Sequence, residues 1–243
     1  MEWHLRWLVI FSVIILICMY LSYWIHTCDP QNITKWWNNQ IKLECDYKDR
    51  NALFHDAWNT NIYSISQFHS MINIHHTNIL EEILSIIPGE QPDTKCSYIW
   101  LRYFHDCPSN MDKLPTLSYI MSKYPNIPVL GLMLQYPGYQ GKTRNGLSRA
   151  VYRYYYGLHV PYGSEDIMLQ DTSIRCKECQ GLVWDDTNTT KEGNKTKEIK
   201  IVIIAEVLRE FNGVKELGTC MIYHFLSKNK KIDETWKKIC LST

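Results

Sequence analysis

The chain has almost no net charge. Its 26 lysines and arginines nearly balance 25 aspartates and glutamates, leaving a formal +1 over 243 residues. No basic run is long enough to track a phosphate backbone, so nucleic acid is not an expected partner. No internal repeat is present. Charge is absent altogether from Trp7 to Ile25, WLVIFSVIILICMYLSYWI. At about 1.5 Å of helical rise per residue, that stretch crosses roughly 30 Å of hydrocarbon. It also lacks a small-x-small cleavage site and ends in bulky aromatics. Both features favour a signal anchor over a cleaved signal peptide.

Several features support a membrane setting. Trp7, Tyr20, Tyr23 and Trp24 sit where amphipathic rings mark the two interfaces of a span. Arg6 is the firm cation before the span and Lys35 the first after it. This balance argues for a short cytoplasmic tail (residues 1–6), a membrane helix (7–25) and a C-terminal domain beyond it. The expectation is a single-pass membrane protein whose C-terminal domain is lumenal, extracellular or on a virion surface. Residues 26–50 read as a polar stalk, and 51–243 as one domain long enough for a full core. Cys18 lies in the span. The other cysteines are Cys28, Cys45, Cys96, Cys107, Cys176, Cys179, Cys220 and Cys240. Their even number suits disulfides in an oxidising space, against the alternative of ordinary thiols in a reducing one. Asn32, Asn188 and Asn194 begin acceptor sequons for glycosylation.

The composition becomes globular from about Asn51. A 3.6-residue apolar period predicts a helix over 74–87, ended by Pro88-Gly89. Leu117, Ile120 and Met121 share a face of a second helix over 114–123. Cys96 to Tyr103, Val129 to Tyr136, Val151 to Val160, Gly181 to Trp184 and Lys200 to Leu208 read as strands bounded by turn residues. Alternation places Arg153, Tyr155, Gly157 and His159 on one strand face. The tail from Lys228 to Lys238 reads as a solvated helix or loop. The fold class is mainly β with flanking helices, a sandwich or jelly roll behind one N-terminal membrane helix.

Two blocks carry a pattern. The first holds Pro137-Gly138, Arg144-Asn145-Gly146 and Arg153-Tyr154-Tyr155-Tyr156-Gly157-Leu158. The second holds Trp184-Asp185-Asp186-Thr187-Asn188-Thr189-Thr190, then Asn194 and Lys200. Together they resemble the aspartyl/asparaginyl β-hydroxylase family of Fe(II)- and 2-oxoglutarate-dependent dioxygenases. The spacings agree within each block, and the likeness runs from about Cys107 to Glu210. The resemblance implies a double-stranded β-helix, a cupin-like jelly roll. It puts the family's two iron-binding histidines at Arg144 and Thr190, and a cosubstrate-holding histidine at Tyr155. Arg153 and Lys200 fall on the cationic positions that grip 2-oxoglutarate carboxylates.

Arginine has no lone pair to offer a metal and is always charged, and threonine is a poor neutral ligand. His159, His75, His76 and His105 have no partner at metal-ligand spacing in the sequence. Cys176-x-x-Cys179 lies between predicted strands, which favours a hairpin disulfide over a redox or zinc site. The residues therefore point to a membrane-anchored pseudoenzyme that serves as a binding or structural module with a protein partner and no cofactor. Arg144 would then fill the metal position and pair with Asp185 or Asp186. Two alternatives stay open: an active dioxygenase using Fe(II) and 2-oxoglutarate on a protein or lipid at the membrane, and an iron-free carboxylate pocket at Arg153 and Lys200. The small size, single anchor and bias toward Ile, Asn, Lys and Tyr suit a host gene captured by a large DNA virus. A protist or invertebrate paralogue would look the same.

Overall fold

The computed structural model describes residues 2–48, 54–56, 63–87, 95–144, 148, 150–185, 189–209, 211 and 213–241. Its helices are α1 (Glu2–Thr27), α2 (Pro30–Lys48), α3 (Tyr63–Ile74), α4 (His76–Ile86), α5 (Pro108–Lys113), α6 (Pro115–Lys123), α7 (Val214–Leu226) and α8 (Lys230–Leu241). The first strands are β1 (Phe54–Asp56), β2 (Cys96–Tyr103), β3 (His105–Asp106), β4 (Val129–Gln135), β5 (Tyr139–Gln140) and β6 (Val151–His159). Then come β7 (Ile167–Leu169), β8 (Thr172–Ile174), β9 (Gly181–Asp185), β10 (Thr190–Lys191), β11 (Gly193–Asn194) and β12 (Lys200–Leu208).

The main sheet is antiparallel, in the order β1-β9-β6-β12-β4-β2-β3. Strands β10-β7-β8 and β11-β5 form two small sheets. Side chains alternate across the main sheet and build two cores. On one face Leu130, Leu132, Leu134, Tyr154 and Tyr156 meet Phe68, Ile79, Ile83 and Leu117 of the helices. On the other face Met133, Tyr155, Trp184, Val202 and Ile204 meet Ile167, Leu169 and Ile174 of the small sheets. Strand β4 (VLGLMLQ) is buried along its whole length because both of its faces are covered. The result is a jelly roll with helices on its outer face.

The strand expectations hold at all five places, within a residue or so. The helix expected over 74–87 is α4 (His76–Ile86), and a further helix, α3, precedes it and ends at Ile74, with His75 (φ −99°, ψ 14°) between the two. Pro88 and Gly89 lie outside the described residues. The segment read as a polar stalk is largely helical in α2, and its Ile33 is fully buried with Ile222, Leu226 and Ile232. Ile33, Trp37 and Ile41 recur every four residues, a helical period that the reading as a stalk passed over, and the partners of Ile33 come from the far end of the chain. The tail is likewise docked, through Ile232 of α8. Helix α1 is long and apolar enough to cross a membrane over Trp7–Trp24, and none of that stretch is buried.

Gly157 shows how closely the domain is built. The Cys176–Gln180 loop lies against it, with Cys179 N donating to Gly157 O (2.9 Å) and Gly157 N to Gln180 O (3.1 Å). A Cβ at Gly157 would stand 2.3 Å from the Lys177 carbonyl oxygen and 2.7 Å from Val160 Cγ2. Backbone cannot yield as a flexible side chain can. Gly157→Ala is therefore expected to destabilise the domain by about 1–3 kcal/mol, read as a lower urea midpoint.

Candidate functional site

The two positions assigned to iron-binding histidines are brought face to face. Arg144 and Thr190 form an isolated antiparallel bridge. Arg144 N donates to Thr190 O (2.8 Å), and Thr190 N donates to Arg144 O (2.6 Å). Nearby, Gly138 takes the turn conformation that glycine favours (φ 75°), and its N–H donates to Asn194 O. Gly146 lies outside the described residues.

Arg144 is exposed as a residue, but its guanidinium reaches inward. It donates to the Tyr98 hydroxyl, and to the Tyr139 hydroxyl at 3.0 Å. It also lies 5.7 Å from the centre of the Tyr98 ring. Burial pulls the Arg144 pKa down, but the bond to Tyr98 and the charges around it leave it above its ordinary value. Burial pushes Tyr98 up to about 12 and Tyr139 higher still, so both stay protonated and polar. Of the two acids expected to pair with Arg144, Asp185 is paired with Arg209 instead, and Asp186 lies outside the described residues. Asp185 ends β9 opposite Tyr152 of β6, and β12, on the other side of β6, carries on to Arg209, whereas the Arg144 guanidinium is held by Tyr98 and Tyr139.

A second layer lies deeper. Tyr155 Oη donates to Glu192 Oε2 (2.7 Å), and Gln135 Nε2 donates to the same oxygen (2.9 Å). Burial, and then the Glu192 charge, hold the Tyr155 hydroxyl well above its ordinary pKa. Lys200 is cross-strand from Gln135 and 0% exposed. Among the described residues its Nζ has no hydrogen-bond partner, nor has Gln135 Oε1. The Tyr155 ring centre lies 5.9 Å from that nitrogen.

Arg153 does not join Lys200. Arg153 is cross-strand from Glu206 and its Nη2 pairs with Glu206 Oε1 at 3.1 Å. Glu206 and Lys200 are six residues apart on β12, roughly 20 Å along an extended strand. The two cations share a face of the sheet but not a ligand-sized site, which corrects the expectation of a joint carboxylate grip.

The cysteine and glycan expectations also change. Cys28, Cys96, Cys176, Cys179 and Cys220 are thiols, not disulfides. Cys176 points into the inner core, where burial pushes its thiol up to about 11. Cys179 is exposed, with Sγ 3.6 Å from His76 Nδ1 on the helical side. The two side chains of this pair thus leave the loop in different directions. Cys107 is disulfide-bonded. The side chains of Cys45 and Cys240 lie outside the described residues. Asn194 is fully buried, and its Nδ2 donates to Gln135 O (2.7 Å) and Glu198 O (2.8 Å). A glycan on that nitrogen would replace one of its two N–H donors, so at least one of these bonds would be lost, at a side chain that is 0% exposed. Asn32 is exposed on α2, and Asn188 lies outside the described residues.

The described residues do not fit iron. One ligand position holds a cation and the other a hydroxyl, and no group of three or more His, Cys, Asp or Glu among the described residues could hold a metal. His159 instead faces Glu178 (3.8 Å) and Glu198 (3.9 Å). Sequence reasoning missed Tyr98, Tyr139, Gln135 and Glu192. Glu192 was within reach, since alternation puts it on the same side as Thr190. The others come from separate strands and carried no signal.

No family model matches the chain, and no curated protein matches it. Solved structures with a similar fold include the viral collagen prolyl hydroxylase of Paramecium Bursaria Chlorella virus-1, crystallised with 2OG. It is 10% identical, covers 67% of this chain and 98% of its own, and has a TM-score of 0.39. An oxidoreductase of the 2OG-Fe(II) oxygenase family from Burkholderia pseudomallei is 9% identical over 72% of this chain and 92% of its own, with a TM-score of 0.43. A Cupin_2 domain of an XRE family transcriptional regulator from Enterobacter cloacae is 9% identical over 48% of this chain and 100% of its own, with a TM-score of 0.34. The likeness is loose and concerns fold alone.

Proposed function

We propose that this chain is a single-pass membrane protein whose jelly-roll domain has an aspartyl/asparaginyl β-hydroxylase-like frame and works as a binding module without iron chemistry. Helix α1 is the anchor, and the domain stands on the side of the membrane opposite the short tail that carries Arg6. The observation that carries the reading is Arg144. Its guanidinium occupies one of the two bridged ligand positions and is held there by the Tyr98 and Tyr139 hydroxyls. A fixed cation repels a divalent metal and attracts an anion. The test is anaerobic calorimetry of the purified chain with Fe(II) and 2-oxoglutarate, beside an Arg144→His, Thr190→His variant. Wild type is expected to bind no iron, and the variant to acquire a site. Stoichiometric iron binding by the wild type would overturn the proposal.

Lys200 favours a more specific form of the same reading. A buried amine without a partner is costly unless a counter-group arrives. A ligand carboxylate, from a metabolite or a peptide side chain of a protein partner, meets that need. Arg153 is already engaged and takes no part.

A further inference from the structure

Helix α7 is apolar on two faces. One face is core: Ile222, Tyr223 and Leu226 are buried, and Trp37 of α2 donates through Nε1 to Thr219 (3.0 Å). The other face carries Val214, Leu217 and Met221, which are 85%, 62% and 49% exposed. The spacing is i, i+3, i+7, a stripe along one side of the helix. An exposed apolar stripe beside the buried face of a helix leaves room for a second apolar partner. This chain supplies one of them.

The position of α7 identifies the other. Helix α7 packs against α1 as well as α2. His26, at the end of α1, is hydrogen-bonded to the Lys228 carbonyl just past α7. Trp24 and Phe225 pack on the same small core. The C-terminal end of α7 therefore lies at the foot of the helix that leaves the membrane, and the stripe runs back from Met221, one turn from Phe225, to Val214, roughly 16 Å from it along the helix. Trp36 stays exposed beside Trp24, their rings 6.5 Å apart. Lys228 and Lys230 are exposed at the turn that touches α1. Apolar side chains with an interfacial tryptophan and flanking lysines suit a bilayer surface, above all an anionic one.

We propose that α7 lies in the membrane interface, with Val214, Leu217 and Met221 seated among the lipid headgroups and upper acyl chains. The domain would then be held against the bilayer at two places rather than swinging on α1. This rests on α1 being a membrane anchor.

The test uses the full chain in vesicles of phosphatidylcholine and phosphatidylserine whose acyl tails carry a clickable group. A photo-reactive p-benzoylphenylalanine replaces Leu217 in one sample, Ile14 of α1 in a second and Tyr162 in a third. Tyr162 is 98% exposed in the turn after β6, whose first residue, Val151, packs with Tyr223 of α7. The length of β6 sets Tyr162 roughly 25 Å or more from that contact. Illumination is expected to give lipid adducts at Ile14 and Leu217, several-fold above Tyr162. A lipid adduct at Ile14 with none at Leu217, or a Leu217 crosslink to a second copy of the chain, would overturn the inference while leaving the anchor intact. Absence of lipid adduct at Ile14 would remove the anchor, and the inference with it.

Discussion

Asp185→Ala is expected to cost the domain about 3–5 kcal/mol, measured as unfolding free energy in urea. The Arg209 side chain is 2% exposed and pairs with Asp185 through Nη2. Its guanidinium also lies 3.9 Å from the centre of the Tyr152 ring. Removing the carboxylate leaves a buried cation short of its counter-charge, and the cost of desolvating a charge is large. Asp185→Asn keeps an acceptor oxygen and should lose less. Replacing both partners, as Asp185→Leu with Arg209→Met, should recover most of the loss, because the buried charge goes with its partner. If Asp185→Ala shifts the unfolding free energy by no more than a surface substitution, about 0.5 kcal/mol, the buried Arg209 does not depend on Asp185 for its counter-charge. Asp185 lies within the second of the two blocks, so this result also decides whether that residue serves the fold or a ligand.

Lys200→Met is expected to act in the opposite direction. Without ligand, the variant should be more stable than wild type by about 1–3 kcal/mol, the usual cost of a buried polar group with no partner. Methionine fills similar space with a flexible, uncharged chain. The same variant should lose any binding of 2-oxoglutarate, or of another carboxylate, titrated without metal. The two readouts separate the possibilities. Gained stability with lost binding means that Lys200 awaits a ligand. Lost stability means that the folded chain already compensates the amine from within, and the carboxylate form of the proposed function then fails.

Much of the fold was legible because its signals are local. β2, β4, β6, β9 and β12 announce themselves by β-branched and aromatic runs between turn residues, and α6 by Leu117, Ile120 and Met121 on one face. The family resemblance placed Arg144 and Thr190 in one site, and their backbones do bridge. Other features were not legible. Nothing near Ile33 in the sequence says that it packs on Ile222 and Leu226. Asn194 has a complete sequon, yet its side chain bonds two carbonyls in the interior. Cys176 and Cys179 are close in sequence, and the loop sends one to the inner core and the other to His76.

The sequence by itself determined which segments become strands and helices, and that an uncharged span precedes the domain. Those properties depend on residue type and period, which are local. The tertiary structure decided which groups meet. It joined Arg144 to Tyr98 and Tyr139, gave Asp185 to Arg209, and set Arg153 and Lys200 at separate stations on one sheet face. It also placed α7 beside the foot of α1. The physical reason is register. Strand pairing fixes how far along the sheet each side chain stands, and a shift of a few residues moves a charge by more than the reach of a hydrogen bond or an ion pair.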